Sequence, residues 1–155
     1  MLQQIQFTQQ KNTASKEMSR KQNVSFGAIE RTLLGIKPDA FEKGLASTIG
    51  QEIIQKTGLK LITAKIGVQS KKIMENHYAE HKGKGFFENL INYVTRGKFG
   101  AYVLEGDDAI VKLRAAASEV RAKYAPDSKS ENLVHSSDSV ESAAREIKNF
   151  FSTMA

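Results

Sequence analysis

Four short apolar runs, each separated from the next by residues of helical period, limit what this chain can fold into. Residues 30–36, Glu-Arg-Thr-Leu-Leu-Gly-Ile, read as a buried strand. Lys37-Pro38-Asp39 ends it, because Pro38 lacks a backbone donor and biases Lys37 to an extended conformation. Leu45, Ile49, Ile53 and Ile54 then outline a helix that stops at Thr57-Gly58. Residues 59–69 read as a second strand, and Ser70 as the cap of a short helix running through Tyr78. A basic, glycine-rich loop over 81–85 leads to a helix marked by Phe86, Phe87, Leu90, Ile91 and Val94. A third strand is expected over 99–104, a helix over 109–117, irregular chain over 121–131, and then a last strand and a last helix. Few strands split by helices make an α/β sandwich. A ferredoxin-like βαββαβ arrangement accommodates this order, and so does a small parallel sheet.

The last strand and helix meet in Asn132-Leu133-Val134-His135-Ser136-Ser137-Asp138-Ser139-Val140-Glu141-Ser142-Ala143. Asp138 is placed to cap the helix, with Glu141 closing a capping box. Val140, Ala143, Ala144, Ile147, Phe150 and Phe151 recur with helical period as one apolar face. His135 therefore sits between a strand end and a helix N-terminus, where free backbone N–H groups favour an anion. A histidine so placed can act as a nucleophile toward phosphate. Taken alone, a histidine at a strand end is more often structural.

The chain has 155 residues, the size of one domain, and its 40% hydrophobic content suffices for a core. It has no cysteine, which excludes disulfides and thiolate metal sites. No apolar run approaches a membrane span, so no membrane partner is expected. The net charge is +6, with Lys11, Lys16, Arg20 and Lys21 against Glu17 alone in residues 1–28. The remaining domain, 29–155, is mildly basic, which suits anionic ligands such as nucleotides. Residues 1–28 are glutamine-rich and lack a sustained period, so we expect a disordered extension. A cytoplasmic location is expected, with an organelle as the alternative if this basic, acid-poor stretch is a transit peptide.

The stretch around His135 resembles the active-site signature of the nucleoside diphosphate kinase family, Asn-x-x-His-[Gly/Ala]-Ser-Asp-[Ser/Gly], with Ser136 in the place of the usual small residue. The resemblance runs from about Glu30 to Phe151 in the family order. It takes in Lys37-Pro38-Asp39, Asn76-His77-Tyr78, Gly85-Phe86-Phe87, Val103-Leu104-Glu105-Gly106 and Val120-Arg121-Ala122-Lys123-Tyr124. It implies the ferredoxin-like fold with an antiparallel four-stranded sheet and added helices.

The resemblance also implies roles. His135 would accept the phosphate, with Glu146 fixing its tautomer and orientation and Ser137 joining that network. Lys37 would contact the transferring phosphate. Tyr78 would lie beside the phosphates and hydrogen-bond to Lys37 or near the nucleophile. Arg114 and Arg121 would grip the phosphates. Asn132 would bind the sugar hydroxyl, Phe86 would stack on the base, and Leu90 would pack nearby. Stacking with few base-edge contacts would tolerate any base. Mg²⁺ would be held mainly by the nucleotide phosphates, with Asp138 reaching it through water. Read singly, each of these is an ordinary surface, packing or capping residue.

One departure stands out. The family carries a loop with threonine, prolines and glycines between its two phosphate-binding arginines. Here Arg114 is followed by Ala115-Ala116-Ala117-Ser118-Glu119-Val120-Arg121, and the alanines favour extending the preceding helix. The resemblance implies ping-pong transfer of a γ-phosphate between nucleoside tri- and diphosphates, and a homo-oligomer. The lost loop points to weaker nucleotide binding and a smaller or less stable assembly. The alternative is a nucleotide-binding regulatory module with little turnover. A third reading is nucleic-acid binding through the basic tail and Lys82-Gly83-Lys84.

Overall fold

The computed structural model describes residues 29–152. Strands are β1 (Ile29–Ile36), β2 (Lys60–Gly67), β3 (Phe99–Asp107) and β4 (Val134–Ser136). Helices are α1 (Pro38–Glu42), α2 (Ala46–Thr57), α3 (Lys71–His77), α4 (Phe87–Thr95), α5 (Ala109–Tyr124) and α6 (Val140–Phe150), with a 3₁₀ turn at Ala79–His81. The strands form one sheet in the order β2-β3-β1-β4, and every neighbouring pair is antiparallel. This is the ferredoxin-like form, and the antiparallel pairing removes the parallel sheet that periodicity left open.

Alternation in β1 sends residues to two cores. Leu34 and Ile36 pack with Ile49, Ile53, Leu113, Ala117 and Val120 from α2 and α5. Leu33 packs with Met74, Ile91, Val94, Ile147 and Phe150 from α3, α4 and α6 on the other face. The sheet thus lies between two helical layers, and β4 brings His135 to the edge where α3, α5 and α6 converge.

Several local expectations are corrected. Pro38 ends β1 and also opens α1, standing at its first turn where its missing N–H costs nothing. Helix α5 does not stop near 117. It runs to Tyr124 and takes in Arg121, so the irregular chain begins only at Ala125. The cap of α6 is Ser139, whose hydroxyl accepts from the Ser142 N–H at 3.1 Å, and Asp138 lies outside the helix. Val140 and Ala144 are exposed, so the buried face of α6 is Ala143, Glu146, Ile147 and Phe150. Two other caps match the sequence reading. Gly58 ends α2 with φ 66°, and the Ser70 hydroxyl accepts from the Ile73 N–H.

Candidate active site

His135 lies in β4 directly opposite Gly35 of β1. The two strands approach closely there: a Cβ on Gly35 would stand 2.8 Å from Phe99 and 3.1 Å from the His135 Cβ. Before β4, Leu133 adopts φ 75°, a left-handed conformation that a branched residue holds only when its surroundings impose it. Those surroundings are identifiable. The Leu133 N–H donates to Asp39 Oδ2 at 3.1 Å, and the Lys37 N–H donates to the Leu133 carbonyl at 2.8 Å. Asp39 is buried in α1, and its other oxygen accepts from the Tyr93 hydroxyl at 2.6 Å. One carboxylate therefore joins α1, α4 and the segment that carries Asn132 and His135.

Glu146 is only 2% exposed, although it sits on a helix. Its carboxylate bonds to His135 Nε2 and accepts from the Ser137 hydroxyl at 3.5 Å. Ser137 in turn accepts from the Leu33 N–H at 3.0 Å, which ties the network to β1. With its proton on Nε2 and directed to Glu146, His135 keeps a free lone pair on Nδ1. Burial, reinforced by Lys37 and Arg121, pulls the His135 pKa down to about 3, so the ring is neutral at physiological pH. Desolvation pushes Glu146 above the usual carboxylate range.

Lys37 is 7% exposed, and its Nζ donates to Asn132 Oδ1 at 2.7 Å. Burial, with Arg121 adding repulsion, lowers its pKa to about 8. Tyr78 is buried and its hydroxyl has no partner, so the expected hydrogen bond to Lys37 is not formed. Burial also pushes its phenol well above the usual range. Arg121 donates from Nη2 to the Val134 carbonyl at 2.8 Å, and its Nε is unpaired. Arg114 pairs with Asp138 at 2.9 Å on the exposed rim. Because α5 is unbroken, Arg114, Ser118 and Arg121 stand at i, i+4 and i+7 and form one stripe.

These groups line two adjoining cavities. One, of about 440 Å³, is walled by His135, Tyr78, Arg114, Ser118, Arg121 and Arg145 among others. The second, of about 880 Å³, holds Lys37, Asn132, Phe86, Leu90 and Tyr93. Tyr78 and His81 belong to both. Phe86 is 51% exposed, an open aromatic face rather than a core residue. Apart from Ser137, which is fully buried and lines neither cavity, the predicted residues thus border one cleft, with His135, Arg114 and Arg121 at one end and Phe86 with Lys37 at the other.

Residue-by-residue reading missed three participants. Asp39 reads in the sequence as part of a turn, Arg145 carries no signal, and His77 reads as the neighbour of Tyr78. His77 packs edge-on against the His135 ring at 4.5 Å between centroids, with neither of its nitrogens bonded.

A neutral, oriented histidine beside two arginines and a buried lysine defines a phosphate-handling site built on a ferredoxin-like sheet. The comparisons with known proteins agree. The family model described as nucleoside diphosphate kinase matches residues 30–155, and the chain belongs to that family. It is 42% identical to a nucleoside diphosphate kinase of Saccharolobus islandicus over 132 residues, covering 79% of this chain and 95% of that protein. It is 44% identical to one of Listeria welshimeri over 133 residues, covering 79% and 89%. Among solved structures, the Aquifex aeolicus nucleoside diphosphate kinase superposes with a TM-score of 0.71 at 37% identity, covering 80% of this chain and 96% of that one. A Halobacterium salinarum nucleoside diphosphate kinase in complex with CDP gives 0.70 at 32% identity, covering 80% and 88%.

Proposed function

We propose that this chain transfers the γ-phosphate of a nucleoside triphosphate to a nucleoside diphosphate through phosphorylated His135. The observation that carries this is the pairing of His135 Nε2 with the buried Glu146, which leaves Nδ1 as the attacking nitrogen. In the first half-reaction, Nδ1 forms a bond to the γ-phosphorus, and the bond from phosphorus to the β–γ bridging oxygen breaks. The nucleoside diphosphate leaves with that oxygen. In the second, a terminal oxygen of another diphosphate attacks the same phosphorus and the N–P bond breaks. Glu146 balances the positive charge that develops on the ring, and Lys37, Arg114 and Arg121 balance the charge on the phosphates. The Tyr78 hydroxyl, unpaired and buried at the junction of the cavities, is free to donate to a phosphate oxygen. Phe86 and Leu90 take the base and Asn132 the sugar.

The donor set near the phosphates fits a magnesium ion carried by the nucleotide. Asp138 is a single exposed carboxylate already paired with Arg114, too little for a protein-held site. When bound, the ion would shield negative charge on the phosphates, and Asp138 would meet it through water.

Nucleotide binding survives the missing loop in this reading, because unbroken α5 keeps both arginines on the cleft. That favours an enzyme over a module without turnover. Initial rates with ATP and GDP varied together should give parallel double-reciprocal lines; intersecting lines would refute a phosphoenzyme route.

A homo-oligomer is part of the proposal. It is supported by edge strand β2, with Leu61, Ile66 and Val68 at or beside it exposed, and by an apolar hollow of about 720 Å³ between α2 and the sheet.

A further inference from the structure

We propose that His77, His135 and Glu146 form a capture site for a transition-metal dication such as Zn²⁺, and that occupancy of this site blocks the nucleophile. The blocking rests on the phosphotransfer reading; the metal site itself does not. One ligand atom from each of the three residues lies within 4.8 Å of the other two. Two imidazoles and a carboxylate are a donor set that zinc accepts and magnesium does not favour. In a tetrahedral zinc site such donors stand about 3.4 Å apart. Small side-chain rotations reach that spacing, with the metal taking the place of the proton between His135 Nε2 and Glu146.

His77 gives the second, independent sign. Its side chain is 3% exposed, yet neither ring nitrogen has a hydrogen-bond partner. A buried polar ring left unsatisfied is costly and calls for an explanation. It lies on the wall of the smaller cavity together with His135 and Glu146. A neutral imidazole offers one ring nitrogen with a free lone pair to a metal. Lys37, Arg121 and Arg145 face the same cluster and oppose a bare dication. They equally favour an anion as the fourth ligand, so the site should take zinc together with chloride or phosphate. The His135 ring stays a neutral imidazole: as the metal takes Nε2, its proton passes by way of solvent to Nδ1, and the lone pair that would attack phosphorus is lost.

The chain has three histidines, which makes imidazole NMR decisive. Histidine-labelled protein is titrated with zinc chloride in magnesium-free buffer. The signals of His77 and His135 should move together and saturate at one equivalent, while His81 stays in place. Movement of His81 alone, or of no ring, overturns the site. His77→Phe keeps the aromatic packing and removes the donors, so it should abolish the zinc response of His135. If that variant does not fold, cobalt titration of the native chain decides instead. A visible absorption band of a four-coordinate ion, displaced by zinc, is expected, and its absence overturns the site. Labelling of His135 by ATP should then be lost with zinc and restored by chelation; full labelling at saturating zinc overturns the blocking. Loss of label already without zinc would instead refute the phosphotransfer reading and leave the imidazole shifts to judge the metal.

Discussion

Gly35 is the residue that lets the nucleophile sit where it does. Its missing Cβ leaves room for both the Phe99 ring and His135. Gly35→Ala should cost about 1–3 kcal/mol in thermal denaturation and displace His135 from Glu146, slowing its phosphorylation. Lys37 sets the alkaline behaviour. Its pKa of about 8 means that its charge is present below that pH and lost above it. The free-enzyme kcat/KM should therefore fall as pH rises through about 8, and Lys37→Arg should remove that limb of the profile. His135 sets the acid limb of stability. The unfolded ring binds a proton near its ordinary pKa of 6.5 and the folded ring does not until about 3. Stability should thus decline as pH falls below about 6.5, read by urea denaturation across pH, and His135→Gln should flatten that decline. Most of these residues were legible in the sequence because a linear signature carries them. The paired state of Lys37 and the packing of His77 were not, since both depend on segments far apart in the chain.

At the scale of elements, the site is assembled by one short helix and one long one. α1 is not legible in the sequence, because Pro38 reads equally as the end of a strand and the start of a helix. Through Asp39 it fastens α4 and the Leu133 segment. Asp39→Ala would leave the Tyr93 hydroxyl and the Leu133 N–H without a partner, at a cost of about 3 kcal/mol. Because Leu133 needs that bond to hold its left-handed conformation, the variant should also lose labelling of His135; a fall in melting temperature with full labelling would contradict this coupling. The full length of α5 is hidden for a different reason. The alanines at 115–117 signalled continuation, yet the basic stretch beyond them lacks strong periodicity. Buried Ala116, Ala117 and Val120 show what holds it. The cap of α6 lies one residue beyond the expected one because Asp138 and Ser139 are both good caps, and pairing with Arg114 draws Asp138 outward. Ser139→Ala should cost about 1 kcal/mol.

For the whole molecule, strand order, antiparallel pairing and two-sided core agree with the fold implied by the resemblance; periodicity alone had left the sheet's direction open. The proposed disordered extension over 1–28 lies outside the described residues. Edge strand β2 places the proposed contact between copies away from the cleft, so assembly and chemistry should separate. Ile66→Lys should shift the species seen in sedimentation toward monomer while the isolated chain still labels at His135. The central claim, phosphate passage through His135, is tested most directly by incubating the protein with γ-labelled ATP and Mg²⁺ and then adding GDP. An acid-labile label that appears on the native chain, passes to GDP and is absent from His135→Ala is the predicted result. A native chain that stays unlabelled, or a label that persists in His135→Ala, would contradict it.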